Sequence, residues 1–496
     1  MIATAHDSTL VLGAGPAGLT AAYELSRLGR PVTVLEADPE LVGGIARTVE
    51  YHGHRFDIGG HRFFSKNEEI EALWTELLGD EMLVRPRLSR IYYRRRYFAY
   101  PLRAMDAFVG LGPIETARCL WSYLGSRLHP VPQPQNLEQW VSNKFGRRLF
   151  EIFFKTYTEK VWGIPTSELS ADWAAQRIKG LSMGEVVRNA ILPRRLRGLR
   201  GELPKTLIDH FRYPRLGPGQ LWDEVTARVR GAGHEVQLDR RVIEVRHAPG
   251  APIEVLSRDA EGRTHRHAAT HAVSTVALRD LIQMLRPAPP AAILEAAEHL
   301  GYRDFLTVAL IVRGDRIFPD HWIYVHDPGV KVGRLQNFRN WSPSMAADDE
   351  TTALGLEYFC FEGDGLWTAS DAELLELGAR ELQELGLAPT QDVIDGTVVR
   401  QAKAYPVYDD GYLARVALIR AWLEQNIPNL HLCGRNGMHK YNNQDHSMMT
   451  ALIVARRIAG VSDRDPWRVN TDAEYNEFRR DGDPDLTGRQ VPNRKR

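Results

Sequence analysis

Residues 9–37, TLVLGAGPAGLTAAYELSRLGRPVTVLEA, constrain this chain more than any other stretch. Thr9 to Leu12 reads as a short apolar strand. Gly13, Gly15 and Gly18 follow at G-x-G-x-x-G spacing. Leu19, Ala22 and Leu25 then share one helical face, and Val32 to Leu35 form a second strand. Each glycine has its own reason. Gly13 permits the tight turn, Gly15 lets backbone approach a pyrophosphate, and Gly18 lets the helix pack close to the sheet. Pro16 and Ala17 open the helix, whose free N–H groups face the phosphates. Glu36 ends the second strand, with Ala37 beside it; its carboxylate can accept ribose hydroxyls and would repel a 2′-phosphate. The expectation is a dinucleotide-binding unit. The bland alternative is a glycine turn with no ligand, and the strand–turn–helix–strand–Glu order argues against it.

Composition narrows the class. A chain of 496 residues is too long for one ordinary core and suggests two or three domains. Lys+Arg and Asp+Glu balance at 63 each, so no bulk charge points to nucleic acid. Cys119, Cys360 and Cys433 are far apart and odd in number. They offer neither a metal-ligand spacing nor a disulfide framework, which fits a reducing, cytoplasmic setting; no metal is expected. The opening MIATAHDST has no basic and apolar leader, so secretion is not expected. No apolar run is long enough to span a membrane.

ELVGGIART follows, with Gly43, Gly44 and Arg47, and then HRFDIGGHRFFSKNEEIEALWTELLG. Here the sequence resembles the flavoprotein superfamily of amine oxidases, protoporphyrinogen oxidases and UDP-galactopyranose mutases. The resemblance implies FAD, with Gly43, Gly44 and Arg47 beside its pyrophosphate and Gly59, Gly60 and His61 passing the isoalloxazine ring. No second strand–glycine–helix unit for a nicotinamide is visible. YPRLGPGQLWDEV, from Tyr213, resembles the glycine turn before the adenine-contacting strand. That strand would be HEVQLDRRVIEVRH, with Val242 near the adenine. HAVSTVALRDLI, from His271, resembles the strand-to-helix return of the FAD domain.

Within the superfamily, NKFGRRLFEIFFKTYTEKVWGIPTSELSADW is similar to the mutases, carrying Tyr157, Trp162, Gly163, Ser167, Glu168 and Leu169. By that likeness Tyr157 touches a substrate phosphate and Trp162 lines the nucleotide pocket. Tyr302 and Arg303 in LGYRDFLTVAL, and Arg334 in GRLQNFRNWSP, match further mutase segments, Arg334 facing the substrate diphosphate. Two departures stand out. A mutase phosphate-binding Arg falls on Gln176, with Arg177 one residue on and about 100 degrees round the helix. Near Arg334, Asn337 and Arg339 replace a Glu and a Lys, so substrate recognition is altered.

The second cofactor contact falls near the end. IPNLHLCGRNG has a strand from Leu430 to Cys433 and a turn at Gly434 and Arg435. Asp445 or Ser447, on either side of His446, is expected to cap a helix that ends at Gly460. Its positive N-terminus would face the flavin. Tyr441 and Asp445 match mutase residues, and Asn443 replaces a second Asp. The run His439–Lys440–Tyr441–Asn442–Asn443 would line the pocket; alternatively it satisfies a buried loop's backbone. His61, His439 and Lys440 are the candidate bases, although His61 could equally pack by the ring through its backbone.

The expected fold is α/β, a Rossmann-like FAD-binding domain that is discontinuous in sequence, with an inserted α+β substrate lobe. FAD-binding pieces are 1–69, 213–285 and 401–462. A largely helical substrate piece covers 70–212, a sheet-bearing one 286–400, and a peripheral tail 463–496. The expected function is an FAD-dependent oxidoreductase with a mutase-like site. It would transfer hydride from a nucleotide-activated or phosphorylated glycosyl substrate to flavin N5. The alternatives are a pyranose–furanose mutase using reduced FAD as nucleophile, and a non-catalytic FAD-bound partner protein. The partner is a small molecule, a sugar nucleotide or a lipid-linked sugar, and not nucleic acid. The basic run Arg188–Lys205 could meet anionic lipid, but a solvated basic loop is the preferred reading.

Overall fold

A computed structural model describes residues 8–100, 102, 104–169, 171 and 210–470. Arg177, Gln176 and the Arg188–Lys205 run lie outside the described residues.

β1 (Thr9–Leu12) is buried along its whole length and sits at the centre of a five-stranded parallel sheet. On one side lies β2 (Val32–Leu35), followed by Glu235–Gln237; on the other lie His271–Ser274 and Leu430–Leu432. A parallel sheet covered on both faces needs near-continuous apolar strands, and TLVL and VTVL supply them. One face is covered by α1 (Pro16–Arg27) with the helices Gly219–Gly231 and Gln444–Ile458. On the other, Leu10, Leu12 and Leu35 pack against the Leu278–Met284 helix and a four-stranded sheet that includes Arg241–Arg246 and Ile253–Arg258.

The expected single strand over 234–247 is two strands. Glu235–Gln237 joins the parallel sheet beside β2, and Arg241–Arg246 joins the four-stranded sheet. Between them Asp239 turns the chain at φ +52°, and its carboxylate accepts the Ala260 N–H at 2.9 Å. Asp tolerates this left-handed conformation better than most residues, which is why an otherwise strand-like run breaks there. Val242 falls in the apolar cluster with Leu12 and Leu35.

A seven-stranded sheet carries the rest of the site. Its order is Val393–Pro406, Tyr302–Arg313, Thr351–Cys360, Arg334–Asn337, Trp322–Val325, Ser89–Tyr93 and Arg96–Ala99. The last two come from the stretch read as largely helical, where short strands around three consecutive arginines leave little apolar alternation. Val393–Pro406 runs unbroken across position 400, and His210–Pro214 crosses position 212 to pair with Met82–Pro86. The helices Leu137–Phe145, Arg147–Phe150 and Thr156–Trp162 lie over this sheet through Phe145, Phe150 and Trp162. Among the described residues no helix is long and apolar enough to cross a membrane.

Candidate cofactor and substrate site

Two glycine turns meet at the start of α1. Gly13 has φ +102° and donates its N–H to the Leu35 carbonyl at 2.8 Å. A Cβ on Gly18 would lie 1.9 Å from the Gly13 carbonyl oxygen, so only glycine lets the helix sit this close to the strand. The second turn, Gly43–Gly44, is tied to the first by Gly43 N–H to Ala14 O at 2.8 Å. A Cβ on Gly44 would come within 3.2 Å of Gly15 Cα. Pro16 opens α1, and Gly434 abuts Ala17, where a Cβ would come within 2.7 Å. The Glu36 carboxylate, next to the half-buried Ala37, accepts N–H bonds from Ala14 at 2.5 Å and Asp38 at 2.9 Å, so it faces the turn. Arg47 donates to the Gly44 carbonyl at 2.8 Å and to Gln401 at 3.1 Å. A side-chain-free cradle, a helix N-terminus and a carboxylate at the strand end fit the pyrophosphate and ribose of FAD.

Beside Gly59 and Gly60 opens a cavity of about 1020 Å³. Arg334 lines it, and this guanidinium donates to Glu357 through Nε at 2.8 Å and also through Nη2. The other Glu357 oxygen accepts from Gln336 Nε2 at 2.7 Å, and Glu357 and Gln336 are fully buried. A Cβ on Gly60 would lie 2.6 Å from Gln336 Nε2, so the Gly59–Gly60 backbone rests directly on this group. Burial opposes the Arg334 charge, but Glu357, Tyr157 and Tyr405 outweigh it and hold the guanidinium protonated. Tyr405 and Tyr441 stack at 5.5 Å, with the Trp162 ring 6.1 Å from Tyr441. Arg435 lies 5.2 Å and 5.0 Å from the two tyrosine rings and is anchored to the carbonyls of Asn442 and Ala404. Tyr157 stacks on His326 at 4.8 Å; burial raises its hydroxyl pKa, and Arg334 acts against that rise.

His61 lines the cavity, and its Nδ1 lies 3.1 Å from the Gly59 carbonyl. A carbonyl can only accept, so Nδ1 carries the proton and Nε2 is the acceptor. Burial, then the Arg435 charge, pushes the imidazole pKa down to about 3, so the ring is neutral at neutral pH.

The helix Gln444–Ile458 is capped by Asn443, not by Asp445 or Ser447. Asn443 has extended backbone (φ −72°, ψ 177°), as a cap requires, whereas Asp445 and Ser447 are already helical. The Asn443 side chain accepts the His446 N–H, and His446 Nδ1 accepts the Asn443 N–H at 3.3 Å. Asp445 instead accepts from Ser65 Oγ at 2.9 Å. Ser447 is buried, its N–H on the Asn443 carbonyl. The helix stops at Ile458, and Gly460, just past its Ala459 cap, turns the chain at φ +76°.

Neither Tyr157 nor Trp162 is among the residues that line the cavity, and four further expected site residues face elsewhere. His439 is buried against Tyr302 and Val407, and burial lowers its pKa to about 4. Lys440 Nζ donates to the carbonyls of Trp467 at 2.9 Å and Val469 at 2.5 Å, and burial lowers its pKa to about 8. The Tyr302 hydroxyl accepts the Leu278 N–H at 3.0 Å. Arg303 donates to the carbonyls of Lys160, Val161 and Phe359. Lys160 and Val161 end the Thr156–Trp162 helix, where unpaired carbonyls need a cation, so this arginine is a helix cap. Of the polar run, then, Tyr441 and Asn443 line the cavity, while His439 and Lys440 serve the loop and the segment after it. That segment is not peripheral in its first part: Asp463, Arg464, Asp465, Arg468, Val469 and Asn470 line the cavity.

Glu357, Gln336, Tyr405 and Ser65 escaped the sequence reading. A signal existed for Glu357: it is a lone acid inside TTALGLEYFC, and an acid in an otherwise apolar strand is buried only when paired.

Comparison with known proteins supports a family assignment. Residues 16–459 match the family described as "Flavin containing amine oxidoreductase". A 97-residue stretch is 36% identical to an L-glutamate oxidase precursor of Streptomyces viridosporus, covering 20% of this chain and 14% of that protein. A 174-residue stretch is 28% identical to a "Probable UDP-galactopyranose mutase" of Klebsiella pneumoniae, covering 34% of this chain and 44% of that protein. The chain thus spans less than half the length of these relatives. Among solved structures, a reduced UDP-galactopyranose mutase superposes with TM-score 0.79 at 22% identity, covering 94% of this chain and 99% of that one. A cyclohexylamine oxidase from Brevibacterium oxydans IH-35A superposes with TM-score 0.62 at 17% identity, covering 92% and 99%. At these identities the likeness is one of fold.

Proposed function

Because this chain belongs to the flavin-containing amine oxidoreductase family and is an FAD-dependent enzyme, we propose that it oxidises a nucleotide-activated or otherwise phosphorylated sugar. The supporting observation is the charge of the cavity wall. Arg62, Lys66, Arg334, Arg435, Arg464 and Arg468 outnumber Asp445, Asp463 and Asp465. A net positive wall favours a phosphate-bearing substrate and disfavours a protonated amine. Bound in the glycine cradle, FAD supplies a hydride acceptor. The chain's residues bind, orient and hold protons. Arg334, fixed in place by Glu357, presents a positioned cation to the phosphate. The stacked Tyr405 and Tyr441 offer flat apolar surface to a base or sugar face. His61 Nε2, left free by the Nδ1–H bond to the Gly59 carbonyl, accepts a hydrogen bond from a substrate hydroxyl and orients it; with its pKa held near 3 the ring stays neutral and does not keep the proton. The three free, buried cysteines fit a reducing compartment, and the proposal places the enzyme in the cytoplasm.

A second reading, a sugar-nucleotide mutase with no net redox change, is supported by the 28% identity to the Klebsiella protein. Anaerobic mixing of the oxidised holoenzyme with nucleotide sugars and sugar phosphates separates the two. Flavin bleaching with formation of an oxidised sugar supports the oxidoreductase. Turnover only after dithionite reduction, giving an isomer, supports the mutase. Bleaching by amines alone, with no response to phosphorylated sugars, overturns the substrate assignment.

A further inference from the structure

The helix Pro113–Leu128 has its apolar side outward. Ile114, Trp121 and Leu128 are seven residues apart and Leu124 is three beyond Trp121, so the four share one face. They are 72%, 79%, 76% and 50% exposed. The opposite side carries the buried Cys119 and packs on the helices Leu137–Phe145 and Arg147–Phe150. Val109 and Val131, at either end, are exposed as well. Scattered exposed apolar residues are ordinary, but a continuous stripe along a helix of 16 residues marks a docking surface.

Charge identifies the occupant. Residues 94–148 hold nine Lys or Arg against three Asp or Glu, in a chain whose net charge is zero. The helix's own acid, Glu115, is turned inward and paired with Arg148 at 2.5 Å and Arg118 at 3.5 Å. Arg147, on the helix packed behind, pairs with Glu138 and Glu151, whereas on the helix itself the Arg118 side chain is 66% exposed and Arg127 is exposed too. A second copy of this chain docked face to face would set these arginines against each other. An exposed apolar stripe that bears a tryptophan and has arginines on the same helix suits a fluid anionic surface that moulds around it. Arginine stems can lie along the apolar layer while their heads reach phosphate.

We propose that the exposed face of Pro113–Leu128 lies in the surface of an anionic lipid bilayer and holds the enzyme there peripherally. The assignment stands apart from the choice of substrate.

The test is co-sedimentation of the FAD-loaded full chain with vesicles. One set is phosphatidylcholine alone, the other equal parts phosphatidylcholine and phosphatidylglycerol. The expected result is pelleting with the anionic vesicles and release at raised salt. The double variant Trp121→Ser/Leu128→Ser should lose about tenfold or more in partitioning, with FAD content and melting temperature unchanged. Equal pelleting of variant and wild type would overturn the proposal. So would a wild type that stays in solution with both vesicle sets. In that case sedimentation equilibrium on the same two proteins shows whether a second copy, lost in the variant, covers the face instead.

Discussion

Arg334 and Glu357 stand directly opposite each other on neighbouring antiparallel strands, and the guanidinium closes on the carboxylate through both Nε and Nη2. Glu357 is fully buried, so removing either partner strands a charge. Glu357→Ala should destabilise the protein by about 3–5 kcal/mol in denaturant titration, and Glu357→Gln by less because its amide keeps the shape. A double-mutant cycle with Arg334→Met should recover most of that loss. If Glu357→Ala unfolds at the wild-type denaturant concentration, the pair does not hold the strand register.

Gly18→Ala places a methyl where the Gly13 carbonyl oxygen already sits. Helix α1 must retreat from the sheet, and the cradle opens. The purified variant should carry much less FAD than wild type, read as flavin absorbance per protein. Gly231→Ala, where nothing lies within 4 Å, is the control and should retain the cofactor.

Asn443 caps the helix that opens onto the cavity. Asn443→Ala should cost about 1 kcal/mol, whereas Asn443→Asp keeps an acceptor and should cost little. Ser447→Ala, inside the helix, should not reproduce the capping loss. Thermal melts of the three variants decide between Asn443 and Ser447 as the cap.

Lys440 has its pKa lowered by burial from 10.5 to about 8. The folded state disfavours the ammonium, and the unfolded chain holds that proton to higher pH. Its contribution to stability should therefore rise as pH increases from about 8 to 10.5, the penalty being complete below 8. Lys440→Met removes this slope, so the difference in stability between variant and wild type should change across that window. A constant difference would mean that the amine is not buried as described. Limited proteolysis should also cut Lys440→Met after residue 462 faster than wild type, because the carbonyls of Trp467 and Val469 lose their donor.

Buried histidines set the acid side. Burial pushes His61, His326 and His431 down to about 3 and His321 and His439 to about 4. Below about 6.5 the unfolded chain takes up protons that the folded one refuses, so stability should fall as pH drops from 6.5 towards 4. Each such histidine contributes about tenfold in the folding constant per pH unit within that window. Because His61 stays neutral, turnover should show no inflection from it between pH 5 and 8.

The cofactor cradle was legible because its physics is local: turn, helix start and strand end lie within 29 residues of one another, from Thr9 to Ala37. The wall of the cavity was legible only in part. Of the residues matched by motif likeness, Arg334 and Tyr441 line it, while the Trp162 ring lies 6.1 Å from Tyr441 and Tyr157 stacks on His326. The partner of Arg334 depends on the register between two strands, which no local pattern encodes. Lys440 looked like a base because it sits among polar residues, yet its amine is taken up by carbonyls that follow in the chain. Arg303 matches a mutase segment, yet its guanidinium is taken up by the carbonyls at the end of the Thr156–Trp162 helix. The break at Asp239 hid behind strand-like residues on both sides.

The parallel sheet draws its edge strand, Leu430–Leu432, from near the end of the described chain and its central strand, β1, from near the start. On the ribosome, β1, β2 and the glycine turn emerge early; His271–Ser274 pairs with β1 much later and then presents an unpaired edge of its own. That edge stays open until Leu432 has left the exit tunnel, because only then can the last strand pair. Contacts this distant form slowly and leave an aggregation-exposed edge in the meantime. The sheet that frames the FAD cradle therefore closes only late in synthesis, and a chain that stops before Leu430 lacks the strand that completes it.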